Sequence, residues 1–189
     1  MKRAEVLAGL ARSLIATGQG ELLSRVLDHA LAAAQLYPLR EAHLPALVSL
    51  RPWLEKNVKQ PFAALTRWLD WCREQLESLT ARAPEEPQDF RREAPVRHKC
   101  ADCAELRRFL ENPREATHRF TVAQDRRSHL ENQIRDHRLD LDCRTEERGR
   151  PYTLVCTKNT ASYRERLKTY RQDLDRLETV RSIQASLPR

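Results

Sequence analysis

Along residues 3–81, apolar side chains recur at spacings of three and four, the period of an amphipathic helix. Val6, Leu7, Leu10 and Leu14 form one stripe, broken by Thr17-Gly18-Gln19-Gly20. Leu22, Leu23, Val26, Leu27, Ala30, Leu31 and Ala34 form the next, ended by Tyr37-Pro38-Leu39-Arg40. Leu44, Leu47, Val48 and Leu50 follow, and Arg51-Pro52-Trp53 is expected to bend or restart the chain. Pro61 stands where a first helical turn accepts a proline, because the missing N–H is not needed there. Behind it Phe62, Leu65, Trp68, Leu69, Cys72, Leu76 and Leu79 keep the helical period. The pattern predicts about four or five short helices over residues 1–81, with short connections that favour antiparallel hairpins.

The pattern lapses at 82–97, where prolines and mixed charges leave almost no apolar residue. That composition predicts a linker or an extended wrap. In residues 98–189 the period returns in pieces. Leu106, Phe109 and Leu110 mark a short helix ending at Asn112-Pro113. Phe120 and Val122 read as extended or entering a helix, and residues 125–140 as a helix with Leu130 and Ile134 facing inward. At 141–158 β-branched residues flank a Gly-Arg-Pro turn, which predicts a β-hairpin. With a four-residue loop from Arg148 to Pro151, Cys143 falls opposite Cys156. Tyr163, Leu167, Tyr170, Leu174 and Leu177 then predict one long amphipathic helix over about 160–185. The expected fold is mainly α: an N-terminal helical array, then a zinc-stabilised helical module with one β-hairpin and a long terminal helix.

Composition supports the helical reading, since only 4 of 189 residues are Gly. The net charge is +7. It divides as 10 Lys/Arg against 8 Asp/Glu in residues 1–81, and 24 against 19 beyond, so the excess is spread among acids. A dedicated nucleic-acid binder shows a denser basic stripe. No apolar run reaches the roughly 18 residues of a membrane span, and Arg12 interrupts the apolar part of the N-terminus, which favours an amphipathic helix over a signal peptide. Five cysteines without an export signal are expected to be reduced thiols in a cytoplasmic protein, or a nuclear one if the source is eukaryotic.

The chemistry centres on Cys100-x-x-Cys103 at a helix start. Two thiolates at this spacing can meet one ion from a tight turn, and structural zinc takes four Cys or His ligands. The redox alternative lacks the strand before the motif and the βαβ surroundings of thioredoxin-like folds, and buried free thiols are the third reading. His129, beside the inward face of its helix, is the expected third ligand and Cys143 the fourth, with Cys156 as its competitor. His98 is the other alternative, set back because one residue between ligands strains a shared tetrahedron. A cross-strand Cys143–Cys156 disulfide is sterically conceivable but at odds with a reducing compartment. His118 and His137 read as surface residues, His29 and His43 as helix-face or turn residues, and Cys72 as packing. Zinc has a structural rationale here, since this half has few large apolar residues for a core.

The run from "CADCAELRRFLENPREATHRF" through "DRRSHLENQI" to "RGRPYTLVCTKN" resembles a Cys-rich C-terminal segment that follows the catalytic domain in some large 2-oxoglutarate/iron(II) oxygenases of the prolyl-hydroxylase type. The features shared are Cys100, Cys103, Phe109, Leu110, Pro113, Arg127, His129, Leu130 and the "PYTLVCTK" strand, over about residues 100–163. The resemblance implies a Cys or His at position 143 and an accessory part. It does not bring the activity, because that fold's His-x-Asp pair is absent and the first half reads as helical.

No Gly-rich phosphate loop, nucleophile elbow or triad presents itself, so an enzyme is not expected. The leading expectation is a zinc-binding module for protein–protein contacts, with Trp53, Trp68 and Trp71 as core or contact residues. The alternative is nucleic-acid binding through the basic hairpin 144–152, where Arg144, Arg148 and Arg150 stand beside Tyr152.

Overall fold

A computed structural model describes residues 3–188, so the outer limits of the expected 1–81 and 98–189 divisions lie outside the described residues. The fold is mainly helical, with a small three-stranded antiparallel sheet. The chain forms two compact units. One takes the residues up to Ala83 together with those from Lys168 on; the other is Pro84–Leu167. The sequence reading had kept the whole terminal helix within the second module.

The first unit contains α1 (Arg3–Ala16), α2 (Gly20–Ala32), a wide π turn (Leu39–His43), α3 (Leu44–Asn57), α4 (Ala63–Thr80) and the later part of α7 (Ala161–Ser186). Its core joins Leu7, Leu23, Leu27, Leu47, Leu54, Leu65, Trp68 and Leu76 with Leu177, Val180 and Ile183 of α7. Pro52 does not break α3, which runs through it. One helical N–H is lost there, and the buried Leu50 and Leu54 on either side hold the helix together. Pro61 stays outside α4, whose N-cap is Phe62. The buried face of α1 is turned by one position from the expected stripe: Leu7, Ala8, Ala11 and Ile15 are inside, while Val6 and Leu10 are 36% and 45% exposed. On α7 the buried positions are Asp173, Leu177, Val180 and Ile183, and Leu174 is exposed.

Buried Asp173 and His43 Nδ1 have partners in this unit, while the buried His43 Nε2 has none among the described residues. Asp173 receives hydrogen bonds from Arg40 Nε at 3.1 Å and Arg176 Nη1 at 2.8 Å. Trp68 Nε1–H donates to His43 Nδ1 at 2.9 Å, deep in the core. His43, expected on a helix face or in a turn, ends the π turn and lies in the core.

The second unit contains α5 (Ala101–Glu111), β1 (Thr117–Thr121), α6 (Gln124–Asp136), β2 (Leu141–Glu146), β3 (Thr153–Lys158) and the start of α7. The hairpin has the expected register, with Cys143 opposite Cys156 and Glu146 opposite Thr153. The segment around Phe120 adds a strand on the other edge of β3, giving the order β1-β3-β2. Leu106, Phe109, Leu110, Phe120, Leu130, Leu154 and Cys156 make the core between sheet and helices. The proline-rich stretch is a wrap rather than a tether. Arg92 N–H donates to the Leu110 carbonyl at 2.8 Å, Phe90 N–H to the Pro113 carbonyl at 3.1 Å, and Val96 is buried. Among the described residues, no helix is long and apolar enough to cross a membrane.

Candidate metal centre

The site starts at the N-terminus of α5. Cys100 is the N-cap, with extended backbone, and its Sγ accepts the Cys103 N–H at 3.4 Å, as an oxygen would at an ordinary cap. Both sulfurs therefore lie at the positive end of a helix, which favours thiolate charge. Cys103 is fully buried, and that burial, with Cys100 alongside, pushes its thiol up to about 11. A cation at the sulfurs removes that obstacle, since metal binding displaces the proton.

His129 comes from α6. Its Nε2 lies 3.2 Å from Cys103 Sγ and 3.6 Å from Cys100 Sγ. Asp102 fixes this approach. Arg126 Nε donates to its carboxylate at 2.8 Å, tying the start of α6 to the start of α5. These hydrogen bonds hold the Asp102 carboxyl below its ordinary range despite burial, and His129 nearby contributes.

The fourth group is His98, which the sequence reading had set back. It lies in the extended stretch before α5, where residues two apart share a side, so His98 and Cys100 face the same way. Its Nδ1 is 3.4 Å from the Cys100 N–H, and its ring meets that of His129 edge-on with centroids 4.6 Å apart. Arg107 holds the stretch down by donating to the carbonyls of Val96 at 3.0 Å and His98 at 2.9 Å. One potential ligand atom from each of His98, Cys100, Cys103 and His129 lies within 4.8 Å of the others.

Cys143 is not part of this cluster. It is joined to Cys156 across the β2–β3 ladder, with Cα atoms 4.2 Å apart. Directly opposed cysteines are each other's nearest sulfur partners, so the register that had suggested Cys143 as a ligand engages it elsewhere. The expectation of reduced thiols fits Cys72, Cys100 and Cys103 and fails for this pair. The hairpin does not need a metal bond to dock, because β1 pairs with β3 and Leu141, Leu154 and Cys156 enter the core.

The basic hairpin residues divide between two places. Arg144 and Arg148 border a groove shared with Glu146 and Glu147, and Arg144 pairs with Glu146 at 3.3 Å. Arg150 and Tyr152 border a different cleft with Arg127, whose guanidinium lies over the Tyr152 ring. The sequence reading also missed His118 as a structural residue. Its ring packs beside Phe109 and Phe120, with Nδ1 2.6 Å from Glu115 and Nε2 2.9 Å from Glu105.

What the fold and site define is a mainly helical protein whose second unit carries two cysteines and two histidines positioned to bind a metal ion. No family model matches the chain, and no match is found among curated proteins or solved structures.

Proposed function

We propose that the protein is a non-enzymatic module with a structural zinc ion, held by His98, Cys100, Cys103 and His129, in its second unit and a surface for protein–protein contacts on its first. The observation that carries this reading is the clustering of two sulfur and two imidazole donors. Zinc takes sulfur at about 2.3 Å and nitrogen at about 2.0 Å, so neighbouring S and N ligands of a tetrahedron lie about 3.5 Å apart. The two S···N separations at His129 are 3.6 and 3.2 Å. The donor set suits zinc over the hard cations, which want oxygen.

Protein contact is favoured by an apolar groove of about 470 Å³ on the first unit, between α1 and α2. Val6, Leu10 and Leu22 remain exposed along it. The tryptophans do not supply such a surface, since Trp68 is fully buried and Trp53 and Trp71 pack against the core. Nucleic-acid binding is disfavoured by the acids among the hairpin arginines. The resemblance of residues 100–163 to an accessory segment of oxygenases fits a module without chemistry of its own.

Elemental analysis of tag-free protein, kept reduced during purification, tests the reading. About one zinc per chain is expected, retained in Cys143→Ala and lost in Cys103→Ser. Loss with Cys143→Ala would restore the hairpin ligand. Retarded migration of DNA or RNA at low salt, abolished in an Arg144/Arg148 double alanine variant, would overturn the protein-contact part.

A further inference from the structure

The groove between α1 and α2 has an apolar wall and a polar edge. The wall is built at helical spacing, from Val6 and Leu10 on α1 and from Leu22 and Val26 on α2, each pair four residues apart. Leu10 and Leu22 leave close to half of their surface in water, at 45% and 44% exposed. The polar edge is Arg25 and His29, also four residues apart on α2, with Tyr37 beside them. The His29 and Tyr37 rings meet edge-on with centroids 6.2 Å apart.

Guanidinium, imidazole and phenol all donate hydrogen bonds. Among the described residues Arg25 takes part in no ion pair, and neither the His29 ring nitrogens nor the Tyr37 hydroxyl has a hydrogen-bond partner. Among the described residues no carboxylate lines the groove. Asp28, the acid on α2 closest in sequence to His29, is engaged outside it by Arg67 at 3.4 Å and by the Ser24 hydroxyl at 2.9 Å. The groove is therefore apolar along one side and carries donors without acceptors along the other.

We infer, on the protein-contact reading above, that the occupant is an amphipathic helix of a partner protein with acidic residues flanking its apolar row. A helix brings its backbone N–H and C=O groups already paired. An extended peptide would lay them unpaired against aliphatic walls, at a cost for each. The first unit offers no strand edge to pair with them among its described residues. From Leu22 to His29 the groove runs about 10 Å along α2, the length of two helical turns. Carboxylates four residues apart on the docked helix repeat the spacing of Arg25 and His29, and they supply the acceptors that this edge lacks. A second copy of this chain fits less well. Two-fold pairing on this groove joins two linings that each carry donors and neither a carboxylate.

The test is selection of a displayed library of amphipathic helices on the full chain, with zinc content measured in the same preparation. The apolar row of each helix is fixed as Leu and both flanking rows are randomised. Enrichment of Glu and Asp on one flank is expected, with saturable NMR shifts from the selected helix at Leu10, Leu22 and Arg25. Leu10→Glu, a change at an exposed position, is expected to abolish binding. Arg25→Glu is expected to weaken the selected helix about tenfold at low salt and less at high salt, and to turn the enriched flank to Lys and Arg when selection is repeated. Selected helices without an acidic flank that still lose binding with Leu10→Glu overturn the acidic partner and leave the protein-contact reading standing. An enriched helix that binds Leu10→Glu and Arg25→Glu as well as the unaltered chain overturns the inference. Dodecanoate saturating the same residues while no helix is enriched makes the groove a site for a small apolar acid, and overturns the inference and the protein-contact reading together. Zinc retained in the same preparation keeps the metal reading separate from each of these results.

Discussion

Arg126 on α6 holds Asp102 on α5 through a 2.8 Å hydrogen bond from Nε and a second from Nη2, and the carboxylate is almost wholly buried. His129 follows Arg126 by three residues, close to one helical turn. The ion pair therefore sets the rotation of α6 and puts the imidazole over the two sulfurs. Asp102→Asn is expected to weaken zinc affinity about 10–100-fold, the usual cost of losing an outer positioning group. Competition with a chromogenic chelator measures this. Unchanged affinity would mean that α6 is oriented by its core residues alone.

Metal binding and folding are coupled where the ligands come from separate elements. Here they come from the extended stretch, α5 and α6. Cys103→Ser is thus expected to speed amide exchange throughout α5 and α6 while leaving α2 and α4 protected. Hydrogen-exchange mass spectrometry separates the two units. Equal loss of protection in both would contradict a metal site that acts on the second unit.

The helices were legible because their apolar periods are clean, and the ends of α7 and the β2–β3 register followed from pattern and turn alone. The metal cluster was half legible. Cys100, Cys103 and His129 announced themselves by residue type and helix position. His98 did not, because its suitability depends on extended backbone before the helix, which a Cys-x-x-Cys spacing does not specify. Cys143 misled for a physical reason: a correct register makes Cys143 and Cys156 face each other, and proximity to a second sulfur serves a disulfide as well as a metal. At β1 the pattern left extended and helix-entering readings open, because Phe120 and Val122 alternate over too short a run to decide. The one-residue turn of α1's buried face lay beyond the pattern, since Leu7 and Leu10 are equally apolar and tertiary packing chose between them.

Two groups make the first unit sensitive to acid. Burial holds the His43 imidazole below its ordinary value, and the backbone of Tyr37 and Ala30 offsets this only in part. Burial opposes ionisation of Asp173, but the hydrogen bonds from Arg40 and Arg176 override it and hold the carboxyl below its ordinary value. A depressed folded value gives stability that is present above the unfolded one and lost as pH falls. Urea midpoints followed by tryptophan fluorescence are therefore expected to drop first below about pH 6.5, from His43, and again below about pH 3.9, from Asp173. His43→Gln, which cannot take up a proton, is expected to flatten the first step. A first step unchanged in that variant would contradict this assignment.

His118 in the second unit has the opposite sign. Burial lowers its value, but Glu115 and Glu105 override burial and raise it. Its contribution is present below the unfolded value of about 6.5 and is lost as pH rises through the higher folded value. His118→Gln is expected to remove this alkaline loss, read from urea midpoints of the second unit by hydrogen exchange between pH 6 and 9. A wild-type midpoint that does not fall over that window would contradict the Glu105–His118–Glu115 arrangement as a source of stability.

Zinc K-edge X-ray absorption of the purified protein tests the central claim most directly, because it counts ligands by element. The account predicts a four-coordinate ion with two sulfurs at about 2.3 Å and two imidazole nitrogens at about 2.0 Å, becoming one nitrogen poorer in His98→Ala. Three sulfurs in the first coordination sphere, or a spectrum unaffected by His98→Ala, would contradict it.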